Sequence, residues 1–132
     1  MENYVQALHH IGIPTTGMDE TIRFYEAFGA KVIYSKMDEN EGHPIRVTLM
    51  DFAGAVIECY ERDNTPKSVG ALDHIAFRVD NLEDMYRVCK EKGYRLMTDC
   101  AKQIGTSSYW PKPIKWFIVY GPNEEKIEFC QD

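Results

Sequence analysis

Two histidines and two glutamates occupy matching places in a repeated sequence pattern. His10 is followed by Ile-Gly-Ile, and His74, sixty-four residues further on, is followed by Ile-Ala-Phe. Glu58 and Glu128 each follow an isoleucine, near the end of the first and second halves of the chain. Imidazole nitrogens and carboxylate oxygens are common ligands of divalent transition metals. The pattern therefore predicts a metal site if the fold brings these four side chains to one surface.

The interval of sixty-four residues also relates the segment that follows each histidine, which indicates an internal duplication. Apolar residues at helical spacing and the glycine that ends each helix keep this register. The first copy is predicted at residues 6–62 and the second at residues 70–132, with a polar linker Glu61–Gly70 where they join, in a single domain 1–132. The landmarks in register are Met18 and Leu82, Ile22 and Tyr86, Tyr25 and Cys89, and Gly29 and Gly93.

Each copy predicts the element order strand, helix and three strands, which is an α+β fold of two tandem βαβββ units. In the first copy the predicted strands are Leu8–Ile13, Lys31–Lys36, Arg46–Phe52 and Ala55–Glu61, the helix is Met18–Phe28, and Met37–Pro44 is a loop. In the second, the strands are 73–79, Arg95–Thr98, Ile114–Tyr120 and Lys126–Gln131, the helix is Leu82–Lys92 with Asn81 as its cap, and Cys100–Pro113 is a loop.

Side-chain alternation predicts which residues face away from the helices. Because Ile11 and Ile57 belong to the helix-covered core, His10 and Glu58 must lie on the opposite, open face of the first sheet. The same reasoning places His74 and Glu128 on the open face of the second sheet. If the two sheets lie side by side and curl, their open faces form one concave trough that holds all four. Further residues of these faces that could bind a substrate are Tyr60, Arg78 and Cys130.

The loop Cys100–Pro113 contains the six extra residues of the second copy and an aromatic tip that includes Trp110. Such a segment is either a surface loop packed on its own apolar side chains or a wall of the binding site. The sequence leaves both readings open, and Trp110 is the residue of this loop that we expect to contact a substrate.

Composition restricts the class of partner. The chain has 132 residues and a formal net charge of -6, which disfavours nucleic acid and anionic membrane surfaces. No apolar run approaches the roughly 20 residues of a membrane helix. Its four cysteines lack CxxC spacing, so they are expected to be reduced thiols. These features predict a cytoplasmic protein whose partner is a small molecule or another protein.

The repeated unit and its motifs resemble the vicinal oxygen chelate superfamily, which includes glyoxalases, bleomycin-resistance proteins and extradiol dioxygenases. The motifs are His-Ile-Gly-Ile near the start, Ile-Glu at the end of copy one, Asp-His-Ile-Ala-Phe opening copy two, and Lys-Ile-Glu near the end. The His-Glu-His-Glu pattern is most similar to the glyoxalase I (lactoylglutathione lyase) branch. The resemblance covers almost the whole chain.

This resemblance implies one divalent transition metal per site (Ni, Zn, Co, Mn or Fe) with His10, Glu58, His74 and Glu128 as ligands. It also implies a lyase or isomerase that moves a proton next to a carbonyl through an enediolate held on the metal. Glu128 is then the expected catalytic base, and Glu58 is either a firm ligand or a second base. Short members often build their sites across a homodimer, so a homodimer is expected, with the site in one chain or across two.

Two positions depart from the glutathione-using glyoxalases, which usually carry Arg four residues after the first His and Asn four after the first Glu. Here these positions are Pro14 and Arg62, so the resemblance leaves open whether glutathione is used. Arg78, at the place symmetric to Pro14, could bind a carboxylate or phosphate of the substrate or could pair with a neighbouring acidic residue. The alternatives are an acyl-CoA epimerase, a metal-dependent dioxygenase, and a metal-free small-molecule-binding protein of the bleomycin-resistance type.

Overall fold

The computed structural model describes residues 4–40, 42–97, 105–107 and 111–132, and it divides the chain into two compact units, 1–66 and 67–132. Each unit contains one helix and one four-stranded mixed sheet, which confirms the two tandem βαβββ units. The first unit contains β1 (Ile11–Thr15), α1 (Met18–Ala27), β2 (Lys31–Asn40), β3 (His43–Phe52) and β4 (Ala55–Glu61). The second contains β5 (His74–Arg78), α2 (Leu82–Glu91), β6 (Gly105–Ser107), β7 (Ile114–Tyr120) and β8 (Lys126–Gln131).

The two sheets have the same topology. Their strand orders are β1-β4-β3-β2 and β5-β8-β7-β6. Thus β1, which directly follows His10, lies beside β4 with Glu58, and β5, which begins at His74, lies beside β8 with Glu128. These two pairings, at one edge of each sheet, are parallel. Gly12 is opposite Glu58 in the first sheet, and Ala76 is opposite Glu128 in the second. The duplication of the sequence is therefore a duplication of strand register.

In each unit the helix covers one face of its sheet. In the first unit Tyr25, Met50 and Ile57 are fully buried between α1 and the sheet. In the second, the Phe117 ring packs at 5.5 Å from that of Phe129 and edge-on at 5.4 Å from that of Tyr86 on α2. The opposite face of each sheet carries a glutamate, Glu58 on β4 and Glu128 on β8.

The helix boundaries follow the signals in the sequence. Asn81 precedes α2, and its side-chain oxygen accepts a hydrogen bond from the Asp84 backbone N–H at 3.3 Å, as predicted for an N-cap. Gly29 and Gly93 follow the helices with φ values of 101° and 78°. Residues with a side chain rarely adopt this left-handed backbone conformation, so a glycine ends each helix with little backbone strain.

The first strand begins and ends later than predicted. It covers Ile11–Thr15 instead of Leu8–Ile13, so His10 lies just before the strand. Pro14 was expected to end it, but Pro14 lies within it, opposite Tyr60. Because β1 is at the end of the strand order, the missing N–H of Pro14 need not break a ladder bond.

Two predicted connections were wrong. The predicted loop Met37–Pro44 is largely the end of a long hairpin in which β2 and β3 pair as far as Asn40 and His43. The predicted loop Cys100–Pro113 contains β6, which pairs with β7. Within the predicted strand Arg95–Thr98, the described residues form only an isolated bridge from Leu96 to Val119. Thr98 lies outside the described residues.

Candidate metal and substrate site

In the first unit His10 and Glu58 form a close pair. His10 Nε2 lies 2.9 Å from Glu58 Oε2, and the two side chains are 41% and 32% exposed. The other ring nitrogen, Nδ1, is 2.8 Å from Nδ1 of His9, so one imidazole donates and the other accepts. Both ring nitrogens of His10 are therefore engaged, and Nε2 points to the carboxylate.

The second unit repeats this arrangement. His74 Nε2 lies 3.0 Å from Glu128 Oε2, and here the carboxylate is only 12% exposed whereas the imidazole is 40% exposed. His74 Nδ1–H donates to Asp73 Oδ2 at 2.8 Å. The Lys126 ammonium donates to the other Asp73 oxygen at 3.3 Å. A chain of contacts thus runs from Lys126 through Asp73 and His74 to Glu128.

Burial and hydrogen bonding shift the pKa values of Glu128 and Asp73 in opposite directions. Burial raises the pKa of Glu128 above its ordinary value, and the opposing attraction of His74 is the smaller effect. The hydrogen bonds from His74 and Lys126 lower the pKa of Asp73. Glu128 thus binds a proton more readily than an ordinary carboxylate, whereas Asp73 stays ionised and can fix the orientation of the His74 ring.

The structure brings the four predicted ligands together two by two. Among the described residues, no group of three or more His, Cys, Asp and Glu side chains lies close enough to hold a metal ion. Each unit instead offers one imidazole Nε2 and one carboxylate Oε2, directed at each other. Nitrogen and oxygen donors of this kind fit a divalent transition metal.

The open face of the second sheet is a groove of about 1030 Å³. His74, Ala76 and Arg78 line it from β5, and Glu128 and Cys130 line it from β8. Arg78 and Cys130 thus lie on the same face as the second ligand pair, as the alternation predicted. Arg78 Nε donates to Asp132 at 3.2 Å. Burial raises the pKa of the Cys130 thiol, and the neighbouring Glu128 raises it further.

Tyr60 lies on the open face of the first sheet, where its ring covers Gly12. A Cβ atom at Gly12 would lie 3.4 Å from Tyr60 Cε1, so this ring takes up space directly above Gly12. The Arg62 guanidinium lies 5.3 Å from the centre of the Tyr60 ring. The fourth predicted substrate contact, Trp110, lies outside the described residues.

Sequence reasoning missed several residues next to the ligands. Asp73 was expected to face the core but is exposed and bonded to His74. The alternation rule failed here because β5 begins only at His74. The available signal in the sequence was that Asp73 directly precedes a histidine. His9, a residue not selected from the sequence, contacts Nδ1 of His10, the ring nitrogen equivalent to the one that Asp73 contacts on His74.

Trp116 was also missed. It lies in β7, where it is opposite Cys130, and lines the same groove as Glu128. The alternation along the correctly predicted strand Ile114–Tyr120 could have placed it there, because Phe117 and Val119 face the core.

The family was established by comparison with known proteins. The sequence model of the glyoxalase/bleomycin resistance protein/dioxygenase superfamily matches residues 7–129, and the chain therefore belongs to this superfamily. The match is to the superfamily as a whole, and membership of the glyoxalase I branch remains a proposal. A search of curated protein sequences gave no significant match. No helix among the described residues is long and apolar enough to cross a membrane.

Solved structures of low sequence identity share the fold. A glyoxalase/bleomycin resistance protein/dioxygenase from Alicyclobacillus acidocaldarius is 19% identical, with 99% of this chain and 94% of that chain covered and a TM-score of 0.63. A glyoxalase family protein from Enterococcus faecalis is 17% identical, with coverages of 96% and 98% and a TM-score of 0.71. The fosfomycin resistance protein FosX from Listeria monocytogenes, complexed with Mn(II) and sulfate, is 18% identical, with coverages of 97% and 93% and a TM-score of 0.73.

Proposed function

We propose that this protein is a metal-dependent enzyme in which His10, Glu58, His74 and Glu128 together bind one divalent transition metal (Ni, Zn, Co, Mn or Fe). The observation that carries the proposal is the equivalence of the two pairs. Each copy of the repeat directs a histidine Nε2 at a glutamate Oε2, at distances of 2.9 and 3.0 Å. The Mn(II) bound by FosX supports a divalent metal in this fold.

Two ligands are too few for a transition-metal site, which usually has at least three protein ligands. The proposed site therefore needs one pair from a first unit and one pair from a second unit. These units belong to one chain or to the two chains of a homodimer. A symmetric homodimer satisfies the same requirement because each copy supplies both kinds of unit.

The proposed reaction is a lyase or isomerase reaction of the glyoxalase I type, with proton transfer next to a carbonyl group of a small molecule. The metal, when bound, supplies Lewis-acid stabilisation of the negative charge that develops on the substrate oxygen. Glu128 is the proposed base, because its buried position raises its pKa towards the range in which a carboxylate accepts a proton effectively. Glu58, which is more exposed, is the firm ligand or a second base for the opposite face.

Hydrogen–deuterium exchange on a candidate substrate tests this function directly. Metal-loaded protein in D₂O should catalyse exchange of the C–H next to the carbonyl of hemithioacetals and 2-hydroxy carbonyl compounds, followed by proton NMR. The Glu128→Gln variant should catalyse this exchange at least about 100-fold more slowly, because general base catalysis accelerates a reaction roughly 10²- to 10⁴-fold. Glu91→Gln, on the exposed surface of α2, is the matched control.

The outcome of this assay separates the proposed reaction from its alternatives. Exchange that Glu128→Gln leaves unchanged contradicts the role of Glu128. Exchange restricted to acyl thioesters would indicate an epimerase. Metal binding with oxygen consumption but without exchange would indicate a dioxygenase, and ligand binding without any metal would indicate a binding protein of the bleomycin-resistance type.

A further inference from the structure

The groove of the second unit is large for a three-carbon substrate. Its volume of about 1030 Å³ lies at the upper end of small-molecule sites, which run from about 300 to 1,000 Å³. Much of the lining is apolar. The apolar lining residues other than Ala76 are Met97, Pro111, Ile114, Trp116 and Ile118.

Strand register orders this groove along its length. His74 and Lys126 are opposite each other at one end, and Ala76 is opposite Glu128 in the next row. The row after that contains Arg78, Cys130 and Trp116, on three neighbouring strands. Two residues along a strand span about 7 Å, so the Arg78 row lies about that far beyond Glu128.

In the row of Arg78 and Trp116, the residue between them is the small Cys130. Arg78 and Trp116 are on the strands that flank Cys130, so their backbones are separated by two strand spacings, about 10 Å. Cys130 between them is small, so a flat apolar group has room against the indole face. Such stacking is a common use of partly buried aromatic side chains.

At the same end of the groove, Arg78 and Lys112 have hydrogen-bond donors that no described ion pair occupies. Asp132 accepts from Arg78 Nε, and no described residue pairs with the terminal amino groups of its guanidinium. Lys112 also lines this end, close to the start of β7, and among the described residues it has no ion-pair partner. By contrast, Lys126 at the other end is bonded to Asp73. The terminal nitrogens of an arginine match a carboxylate or phosphate in two parallel hydrogen bonds.

We infer that the substrate is an organic anion with a flat apolar body. Its acidic group binds Arg78 and Lys112, its body lies on Trp116, and its reacting carbon lies about 7 Å further along, beside Glu128. This inference rests on the proposed function because it concerns the same groove. It excludes three-carbon dicarbonyl compounds as the preferred substrates, since they would leave the apolar part of the groove empty.

Binding to metal-free protein tests the inference without the metal site. The probes are 2-naphthoate, its neutral analogue 2-naphthamide, and acetate, titrated into chelator-treated protein and followed by ¹H–¹⁵N NMR. 2-Naphthoate should bind about ten-fold more tightly than 2-naphthamide, because charge-assisted hydrogen bonds are about twice as strong as neutral ones. Acetate should bind far more weakly than both, and the shifts should centre on Arg78 and the Trp116 indole.

Variants assign the preference to residues. Arg78→Gln should reduce the affinity for 2-naphthoate to that for 2-naphthamide, and Lys112→Gln should reduce it partly. Trp116→Leu should weaken both naphthyl compounds alike. Arg87→Gln on α2 is the control, because Arg87 is bonded to Asp84 and Glu91 outside the groove. Arg78 is 75% exposed, so its substitution should leave the fold intact.

Equal affinity of wild-type protein for the acid and the amide would overturn the inference, as would acetate binding as well as 2-naphthoate or shifts outside the groove. The proposed metal function can fail separately. A protein that binds a metal but shows no preference for the acid contradicts only this inference. A protein that shows the preference but never binds a metal contradicts only the proposed metal function.

Discussion

The two candidate metal-binding histidines differ at the nitrogen that faces away from the glutamate. His10 Nδ1 contacts another imidazole, that of His9, whereas His74 Nδ1 donates to the carboxylate of Asp73. A carboxylate behind a ligating imidazole fixes its tautomer and makes the other nitrogen a better donor to a metal. Asp73 is itself held by Lys126. At the residue scale, His74 is therefore better oriented than His10 to bind a metal.

Replacement of Asp73 by Asn should weaken metal binding. The amide cannot supply the negative charge behind His74, and loss of such a partner typically reduces metal affinity about 10- to 100-fold. Competition with a chromophoric chelator measures this affinity in wild-type and variant proteins. Asp80→Asn, on the exposed residue after Val79, is the control. An Asp73→Asn protein with the wild-type affinity would contradict the role given to Asp73.

The pKa of Glu128 predicts a pH-dependent stability of the metal-free protein. Because burial raises this pKa in the folded state, the stabilising effect of the protonated carboxyl is complete below the unfolded pKa of about 4.3. It is lost as the pH rises through the folded value. The Glu128→Gln variant has no ionisable carboxyl at this position, so its stability relative to wild type should increase as the pH rises above about 4.

Calorimetric unfolding of both proteins at several pH values in this range checks the sign. Glu20→Gln on the exposed surface of α1 should follow the wild type throughout. A stability difference between Glu128→Gln and wild type that is constant with pH, or that moves in favour of wild type as the pH rises, would show that burial does not dominate at Glu128.

At the scale of the elements, the sequence was informative wherever one face of an element is buried. The strands Ala55–Glu61, Ile114–Tyr120 and Lys126–Gln131 have the predicted bounds, because each alternates between core and open face. The loop predicted at Met37–Pro44 was wrong because this part of the hairpin buries little. Residues 37–39 are exposed, so the backbone ladder with β3, and not a hydrophobic pattern, holds them.

Part of the candidate site was predictable for the same reason. The alternation put each histidine on the same face as its glutamate, and the parallel pairing of their strands makes them neighbours. The contacts of His9 and Asp73 were missed by the alternation rule, since both residues precede the strands, and only their positions directly before a histidine pointed to them. The convergence of the two pairs on one metal remains a prediction, because it depends on how units meet and not on a local pattern.

The cap of α2 gives a prediction at this scale. Asn81 accepts a hydrogen bond from the Asp84 N–H, and loss of such a cap typically costs about 1 kcal/mol. Asn81→Ala should reduce the free energy of unfolding by that amount in urea denaturation. Asn64→Ala, in the exposed linker, should change it by less than about 0.5 kcal/mol. Equal values for the two variants would show that the cap contributes nothing.

At the scale of the whole molecule, duplication explains why the ligands come in pairs. Each unit has its own helix-covered core and one open face with a histidine and a glutamate. Among the described residues, neither unit alone brings together the three or four protein ligands that a transition metal usually has. The proposed site therefore takes one pair from each of two units, and we expect about one ion per chain whether these units belong to one chain or to a symmetric pair.

The metal content of purified protein tests this account most directly. Elemental mass spectrometry, before and after chelation and reloading with Ni, Zn, Co, Mn or Fe, should give about one reloadable ion per chain. His10→Ala and His74→Ala should each lose the ion while circular dichroism shows an unchanged fold, because both side chains are about 40% exposed. The account is contradicted if wild-type protein binds none of these ions, or if either variant alone retains its metal.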